Sequence, residues 1–213
     1  MRYAVVIGDV VASRAARSRG ALQRSLGAAV QRVNASARRR LASPYTITLG
    51  DEFQAVYRSP RGLLADLWAL LDALHPVALR FAVGVGDIAT PINRRQALGM
   101  DGASFYRARH TMEALKKERR SIVQVQGGPG ELTLANHALR LACRLVAGWR
   151  HDTLSTFVCL GAGDPVERIA RRSRVTERAI FKRIRANSLR EILAVAGAVE
   201  SELEEALGRS HER

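Results

Sequence analysis

Cysteines, acidic residues and long apolar runs are all scarce in this sequence. Its two cysteines, Cys143 and Cys159, are too few for a disulfide framework or a four-ligand zinc site, so both are expected to be reduced core thiols. No apolar run approaches the roughly 18 residues of a membrane span, and the start lacks a secretory cleavage site. These absences predict a cytoplasmic protein with no membrane partner.

The charge balance is strongly basic. There are 34 lysines and arginines against 20 aspartates and glutamates, a formal net charge of +14, which predicts a polyanionic partner such as nucleic acid or a nucleotide. Apolar side chains make up 47% of the chain, which excludes disorder as its main state. The five histidines lack ligand spacing and no serine or cysteine has an evident base partner, so no covalent nucleophile is proposed.

A glycine and proline cluster, Gly127-Gly128-Pro129-Gly130, predicts two domains. Residues 1–130 would form an α/β sandwich and residues 131–213 a helical domain. The second domain has a basic block, residues 165–190 with nine bases and two acids, followed by residues 191–213 with two bases and six acids. A basic block is usually a solvated surface, so its position on an element decides whether it binds anything.

Apolar periodicity in the first domain predicts the element order β-α-β-β-α-β-α-β. This order is typical of an α+β, ferredoxin-like βαββαβ sandwich. In that fold an antiparallel sheet has its first and third strands as central neighbours, and we expect the helices to pack on one face.

Two acids are predicted to meet at one edge of this sheet. Asp9 ends the first strand and Asp51 begins the third, in the hairpin that also carries Glu52. Because neighbouring antiparallel strands bring these ends together, the carboxylates would repel unless a cation lay between them. Mg²⁺ or Mn²⁺ suits such all-oxygen ligands. The alternatives are that the aspartates form turns or helix caps and that Glu52 is simply exposed.

Four ordered motifs resemble the SatD family of bacterial proteins. The resemblance covers roughly residues 3–126 and rests on the segments Ile7–Arg14, Ile47–Gln54, Arg80–Gly86 leading to Thr90, and Gly99–Arg109. That family implies no well-defined activity for this chain.

A more distant resemblance is to the nucleotidyl cyclase superfamily, whose palm-like core is the same sandwich. Gly50-Asp51-Glu52-Phe53 is similar to the hairpin of diguanylate cyclases, and the segment Ser104–Arg109 is similar to their later helix. The resemblance implies divalent metal at Asp9 and Asp51, with Glu52 as a further ligand, and two-metal chemistry on a nucleotide triphosphate.

The same resemblance implies phosphate binding near the start of the first helix. The residues implied are the backbone from Val10 to Ser13, Arg14 and Arg109. Leu49 departs from the pattern, because diguanylate cyclases have a glycine there, which lets a nucleotide approach that backbone closely. A solvated surface arginine is the alternative for Arg109.

Residues 165–186 of the basic block resemble a helix-turn-helix. Asp164-Pro165 opens the first helix, Ile169 and Ala170 face Val175 across the turn, and Thr176 caps the second helix. The second helix of this motif enters the major groove of double-stranded DNA. We therefore expect DNA contacts from Thr176, Arg178, Lys182, Arg183 and Arg185. The alternative is a basic helical hairpin packed against the rest of the protein.

A long C-terminal helix follows, with one apolar stripe. The stripe comprises Ile192, Val195, Val199, Leu203 and Leu207. Such a stripe usually closes a core, but it could also pair two chains in a homodimer that reads a palindromic site.

Two functions from different classes fit these patterns. The first is a DNA-binding regulator whose cyclase-like domain binds a nucleotide with a divalent metal and biases the helix-turn-helix. The second is an active nucleotidyl cyclase or nucleotidyltransferase that uses two-metal catalysis, with the helical domain as a localising module. A third hypothesis is a degenerate sandwich that binds neither ligand.

Overall fold

The computed structural model describes residues 1–11, 18–118, 122–128 and 131–208. These residues form five strands and eight helices, in the following order: β1 (Arg2–Val10), α1 (Arg19–Ala37), β2 (Leu41–Leu49), β3 (Glu52–Tyr57), α2 (Leu63–Leu74), β4 (Leu79–Asp87), α3 (Ala103–Glu118), β5 (Val123–Gln126), α4 (Thr133–Val146), α5 (His151–Gly161), α6 (Val166–Ser173), α7 (Glu177–Ala186) and α8 (Leu189–Gly208). No helix among the described residues is long and apolar enough to cross a membrane.

The five strands form one sheet in the order β2-β3-β1-β4-β5. β1 lies between β3 and β4 and runs antiparallel to both. The first four strands with α1 and α2 therefore form the predicted ferredoxin-like α+β sandwich, with the first and third strands as central neighbours. β5 extends the sheet, parallel to β4.

Helices cover both faces of the sheet, which corrects the expectation that they pack on one. Ala4, Val6 and Val10 of β1 share a core with α1 and α2. The alternate residues Val5 and Ile7 pack against α3 on the opposite face.

The handedness of the two crossovers explains this correction. β3, β4 and β5 are parallel to one another, and the sheet order runs the same way from β3 to β4 as from β4 to β5. Because α2 and α3 lie on opposite faces, the two crossovers have opposite hands. The usual right-handed rule cannot hold for both, and it would have placed both helices on one face.

Glycine in β4 lets α3 approach the sheet closely. A side chain at Gly84 would collide with the backbone oxygen of Ser104 and the backbone nitrogen of Ala108. Since that contact involves backbone atoms, any larger residue at position 84 would push α3 away. This packing fixes where the side chains of α3 lie over the sheet.

The helical segment packs directly on the sandwich. α8 contacts α2, α4, β1 and β4, and residues from both segments share one continuous apolar core. The predicted division into 1–130 and 131–213 stays a prediction. The apolar stripe of α8 lies within this core, with Ile192, Val199 and Leu203 at most 3% exposed. The stripe therefore closes the core and is not free to pair two chains, which corrects that alternative.

Candidate functional site

The predicted acids do gather at one end of the sheet, although their pairing differs from the prediction. We call Asp9, Asp51 and Glu52 the acid edge. The residue opposite Asp9 in the β1–β3 register is Glu52, not Asp51. Residues opposite each other in antiparallel strands share a face, so the carboxylates of Asp9 and Glu52 lie together on the α3 face.

Asp51 occupies the two-residue turn between β2 and β3. Gly50, with φ +59°, takes the turn position that needs a positive φ. Asp51 lines a small cleft near the start of α1 together with Val10 and Arg19. Its carboxylate is still close enough to Asp9 to favour the protonated form of that residue.

Three cationic side chains surround Asp9 and Glu52. Arg80 lies opposite Asp9 in the β1–β4 register, and its guanidinium is 3.7 Å from Asp9 Oδ2. Lys116 Nζ lies between the two acids, 3.3 Å from Asp9 Oδ1 and 3.7 Å from Glu52 Oε2. Arg109 donates to Glu52 Oε1 at 2.6 Å. Each of the four carboxylate oxygens therefore faces a cationic nitrogen.

Burial affects the pKa of one carboxylate of this cluster, that of Asp9. The side chains of Asp9 and Glu52 are each only 10% exposed. Burial raises the pKa of Asp9 above its usual value, Lys116 and Arg80 oppose that rise, and Asp51 adds to it. The resident cations thus offset part of the cost of keeping a buried carboxylate ionised.

A lone divalent cation does not fit the acid edge as it stands. Carboxylate oxygens are the ligands that Mg²⁺ prefers, but these oxygens already face Arg80, Arg109 and Lys116. The described part of the chain contains no group of three or more His, Cys, Asp or Glu side chains arranged to hold a metal. Metal binding would require the ammonium and guanidinium groups to move away.

Two of the residues expected to bind phosphate, Val10 and Arg109, already have partners within the protein. The backbone N–H of Val10 donates to the Asp51 carbonyl at 3.2 Å, so it is already used inside the protein, which corrects that expectation. Arg109 is half-exposed and pairs with Glu52. Ser13 and Arg14 lie outside the described residues.

Sequence reasoning missed Arg80 and Lys116. The strand register of β4 against β1 would have identified Arg80, because it places that residue opposite Asp9. Lys116 lies seven residues after Arg109 on α3, two helical turns along the same side. Finding it required knowing that α3 covers this face of the sheet.

The segment that resembles a helix-turn-helix forms two helices, α6 and α7, joined by a three-residue connection. Arg174 is left-handed with φ +55°, and the Thr176 side chain accepts a hydrogen bond from the Ala179 N–H, as a helix N-cap does. Ile169, Ala170, Ile180 and Ile184 are buried beneath the two helices. Val175 was expected to face Ile169 and Ala170, but it is 38% exposed.

The outer side of α7 is basic and open to solvent. We call Arg178, Phe181, Lys182 and Arg185 the α7 face. All four are exposed, with Phe181 at 42%. Among the described residues, the three cations of this face form no ion pair.

Arg183 does not belong to the α7 face, which corrects the prediction that it projects toward DNA. Its side chain is only 16% exposed and pairs with the Asp152 carboxylate at 2.7 Å. It also donates to Thr156 Oγ1 at 2.8 Å. Because both partners belong to α5, Arg183 ties α7 to the helix beneath it.

The fold and the acid edge define the first segment as a ferredoxin-like sandwich with an acidic cluster at one end of its sheet. The chain belongs to the SatD family, whose model matches residues 3–128. No curated protein sequence matches the chain.

Three solved structures are similar at low identity. A structure of a bacterial light-regulated adenylyl cyclase has a TM-score of 0.45 and 13% identity, covering 58% of this chain and 74% of that chain. A second such structure has a TM-score of 0.44 and 14% identity, with coverage of 59% and 43%. The regulator of polyketide synthase expression from Bifidobacterium adolescentis has a TM-score of 0.26 and 14% identity, with coverage of 94% and 86%. At these levels the likeness extends no activity to this chain.

Proposed function

We propose that this protein is a DNA-binding regulator that places α7 in the major groove of duplex DNA. The α7 face carries the proposal, because Arg178, Lys182 and Arg185 point to solvent beside a half-exposed Phe181. Arginine and lysine on such a helix bind phosphates and the edges of guanine. The aromatic ring adds an apolar surface suited to a thymine methyl group.

Unpaired charge is the physical reason to prefer α7 over the neighbouring helix. On α6, Arg168 and Arg172 pair with Asp164, and Arg171 pairs with Glu167. Those arginines must give up an internal partner before they bind phosphate. The cations of the α7 face have no such partner in the described residues, so they can release DNA counterions at no internal cost.

Binding of fluorescent duplex DNA at several salt concentrations tests the proposal. In a triple variant with Arg178→Ala, Lys182→Ala and Arg185→Ala, we expect affinity to fall by at least about 100-fold and the salt slope to fall by about three. The matched control removes three exposed arginines elsewhere, by Arg24→Ala, Arg32→Ala and Arg39→Ala. Equal losses in both variants would mean that net charge alone drives binding and would refute the α7 assignment.

The sandwich supplies the regulatory part of the proposal, by binding a nucleotide together with Mg²⁺ or Mn²⁺. The acid edge holds carboxylates and cationic side chains side by side. In a nucleoside triphosphate bound to a metal ion, the metal is complementary to the carboxylates and the phosphates are complementary to the cationic side chains. The phosphates would draw Arg109 and Lys116 away from the acids, leaving Asp9, Asp51 and Glu52 for the cation. Metal and nucleotide should therefore bind together much more tightly than either alone.

A chain of polar contacts supports a connection from the sandwich to α7. Ser155 of α5 donates to the Asp72 carboxylate of α2 at 2.5 Å. On the same helix, Asp152 holds Arg183 of α7. These contacts join α2 to α7 through α5, whereas the acid edge lies beside α3 on the opposite face of the sheet.

Calorimetry tests this sensing function. We expect heat from Mn²⁺ together with a non-hydrolysable nucleoside triphosphate, and little heat from either one alone. No heat from any combination would favour the degenerate sandwich.

An active nucleotidyl cyclase or nucleotidyltransferase is the second candidate, favoured by Asp9 near the end of β1 and Glu52 opposite it at the start of β3. Incubation with each nucleoside triphosphate and Mn²⁺, followed by measurement of pyrophosphate, separates it from the regulator. Steady turnover that Asp51→Asn abolishes would overturn the regulator proposal.

A further inference from the structure

Three arginines line a groove between α7 and the start of α8. Arg178 and Arg185 come from α7 and Arg190 comes from α8, and the groove has a volume of about 670 Å³. All three side chains are exposed, and none has a carboxylate partner among the described residues. Phe181 and Ile184 form the apolar part of the same lining. We call this surface the α7–α8 groove.

The exposed arginines of α7 lie on the side that faces α8. Arg178 and Arg185 are two helical turns apart along one side of the helix, and both line the α7–α8 groove. Ala179 and Ala186 have the same spacing and lie on the other side of α7, next to Arg183, which contacts α5. One side of α7 therefore offers two guanidinium groups, and the other side offers only methyl groups.

The dimensions of DNA turn this asymmetry into a choice of strand. The major groove is about 12 Å wide, and a helix with its side chains is about 10 to 12 Å across. A helix that lies in the major groove therefore has one phosphate backbone along each side. With α7 in that position, the backbone beside Arg178 and Arg185 lies over the α7–α8 groove, and the other backbone meets Ala179 and Ala186.

We propose that Arg190 of α8 binds a phosphate of the strand that lies along the α7–α8 groove. This inference rests on the proposed function, and it adds a second helix to the DNA-binding surface. Because phosphates are common to all sequences, Arg190 contributes affinity and fixes the position of α7 on the duplex without reading a base.

Two glutamates separate direct contact from attraction at a distance. Glu177 and Glu191 also line the α7–α8 groove, so its three bases and two acids leave a formal charge of +1. No ion pair joins either glutamate to the three arginines in the described part of the chain. A surface with so little net charge attracts DNA weakly from a distance. Arg190 therefore acts through contact with a phosphate, which releases counterions and changes the salt slope of binding.

Binding of two fluorescent duplexes of unrelated sequence, measured at several salt concentrations, tests the contact. Arg190→Ala should lower the salt slope by about one and weaken binding by about eightfold at about 0.1 M salt, equally for both duplexes. Arg190→Lys should keep most of the affinity, because an ammonium group also binds phosphate. Since Arg190 is exposed, the melting temperature of both variants should match that of the wild-type chain.

Arg144→Ala is the matched control, since Arg144 is exposed on α4 and does not line the α7–α8 groove. It removes the same charge and should leave the salt slope unchanged. Equal losses in Arg190→Ala and Arg144→Ala would overturn the contact. If Arg190→Ala bound DNA like the wild-type chain while the triple variant of the α7 face lost binding, the contact would be refuted and the proposed function would stand. A wild-type chain that binds neither duplex would refute both.

Glu191→Gln gives a change of the opposite sign. Glu191 precedes no other acid in the groove lining and follows Arg190 directly, so its carboxylate repels the same phosphate. Replacing it should strengthen binding by about twofold at low salt. Weaker or unchanged binding in this variant would place the phosphate away from the start of α8 and overturn the inference.

Discussion

The acid edge and the α7 face are both rich in cationic side chains, yet they use that charge in opposite ways. At the acid edge Arg80, Arg109 and Lys116 are all paired with carboxylates of the same chain. On the α7 face Arg178, Lys182 and Arg185 have no carboxylate partner among the described residues. Paired cations stabilise the fold, whereas unpaired cations remain available to an external polyanion.

This difference explains why a basic sequence alone does not locate a nucleic-acid interface. The formal net charge of +14 is spread over both segments of the chain. The two regions differ in whether each cationic side chain has a carboxylate within ion-pair distance. Strand register decides this at the acid edge, and helix packing decides it at α7. The relevant quantity is therefore unpaired charge on one exposed face.

Breaking the pairing at the acid edge should have the largest effect. Lys116→Met removes the ammonium that lies between Asp9 and Glu52. The two buried carboxylates then repel each other more strongly, and a divalent cation between them would relieve that repulsion. We expect Mn²⁺ to bind this variant at least about tenfold more tightly than it binds the wild-type chain. Calorimetry, or paramagnetic broadening of water signals by Mn²⁺, measures the change.

Lys117→Met is the matched control for this experiment. It removes the same charge from the next residue of α3, which is exposed and pairs with neither acid in the described structure. If both variants bound Mn²⁺ equally tightly, the loss of one positive charge would explain the tighter binding. The position of Lys116 between the two acids would then not matter.

Much of the fold follows from the sequence, because alternation and helical spacing report which residues are buried. The element order of the first segment and the antiparallel neighbours β1 and β3 were predicted and are confirmed. The pairing of Asp9 with Glu52, in place of Asp51, depends on a one-residue register that the position of the turn sets. That detail exceeds the precision with which a strand end can be read from one sequence.

The partners of charged side chains were harder to predict than the elements that carry them. Arg183 has the same residue type and helix as Arg185, but only Arg183 reaches Asp152. Lys116 reaches Asp9 and Glu52 only because α3 packs on the second face of the sheet, which was not predicted. In both cases the deciding contact joins residues far apart in sequence, and local spacing carries no signal for it.

The contrast between Arg183 and the α7 face gives the second prediction. Arg183→Ala should lower the free energy of unfolding by about 1 kcal/mol, a modest value because Asp152 is 47% exposed and solvent screens the pair. The salt slope of DNA binding should stay unchanged, since Arg183 makes no phosphate contact. Thermal or urea unfolding, with DNA binding measured at two or more salt concentrations, checks both parts.

Asp152→Ala provides the matched partner in a double-mutant cycle. The two single changes should lower stability by similar amounts, and the double change should cost less than their sum. A salt slope that drops by about one in Arg183→Ala would instead restore Arg183 to the DNA-binding surface.

Glu200 of α8 shows a third arrangement, in which backbone N–H groups donate hydrogen bonds to a buried carboxylate. Replacing Glu200 should have the smallest effect of the three predictions, a pH-dependent change in the free energy of unfolding. Its oxygens accept from the N–H groups of Gly62 and Leu64, each at 2.8 Å, at the start of α2. Burial raises the pKa of Glu200 above its unfolded value of 4.5, while those two hydrogen bonds oppose the rise.

A raised folded pKa means that the folded protein takes up the proton more readily than the unfolded chain. Wild-type stability should therefore rise relative to Glu200→Gln as the pH falls through the folded pKa, with the full gain below about 4.5. Urea unfolding of both proteins between neutral and acidic pH measures this difference, and a difference that runs the other way would mean that the hydrogen bonds outweigh burial.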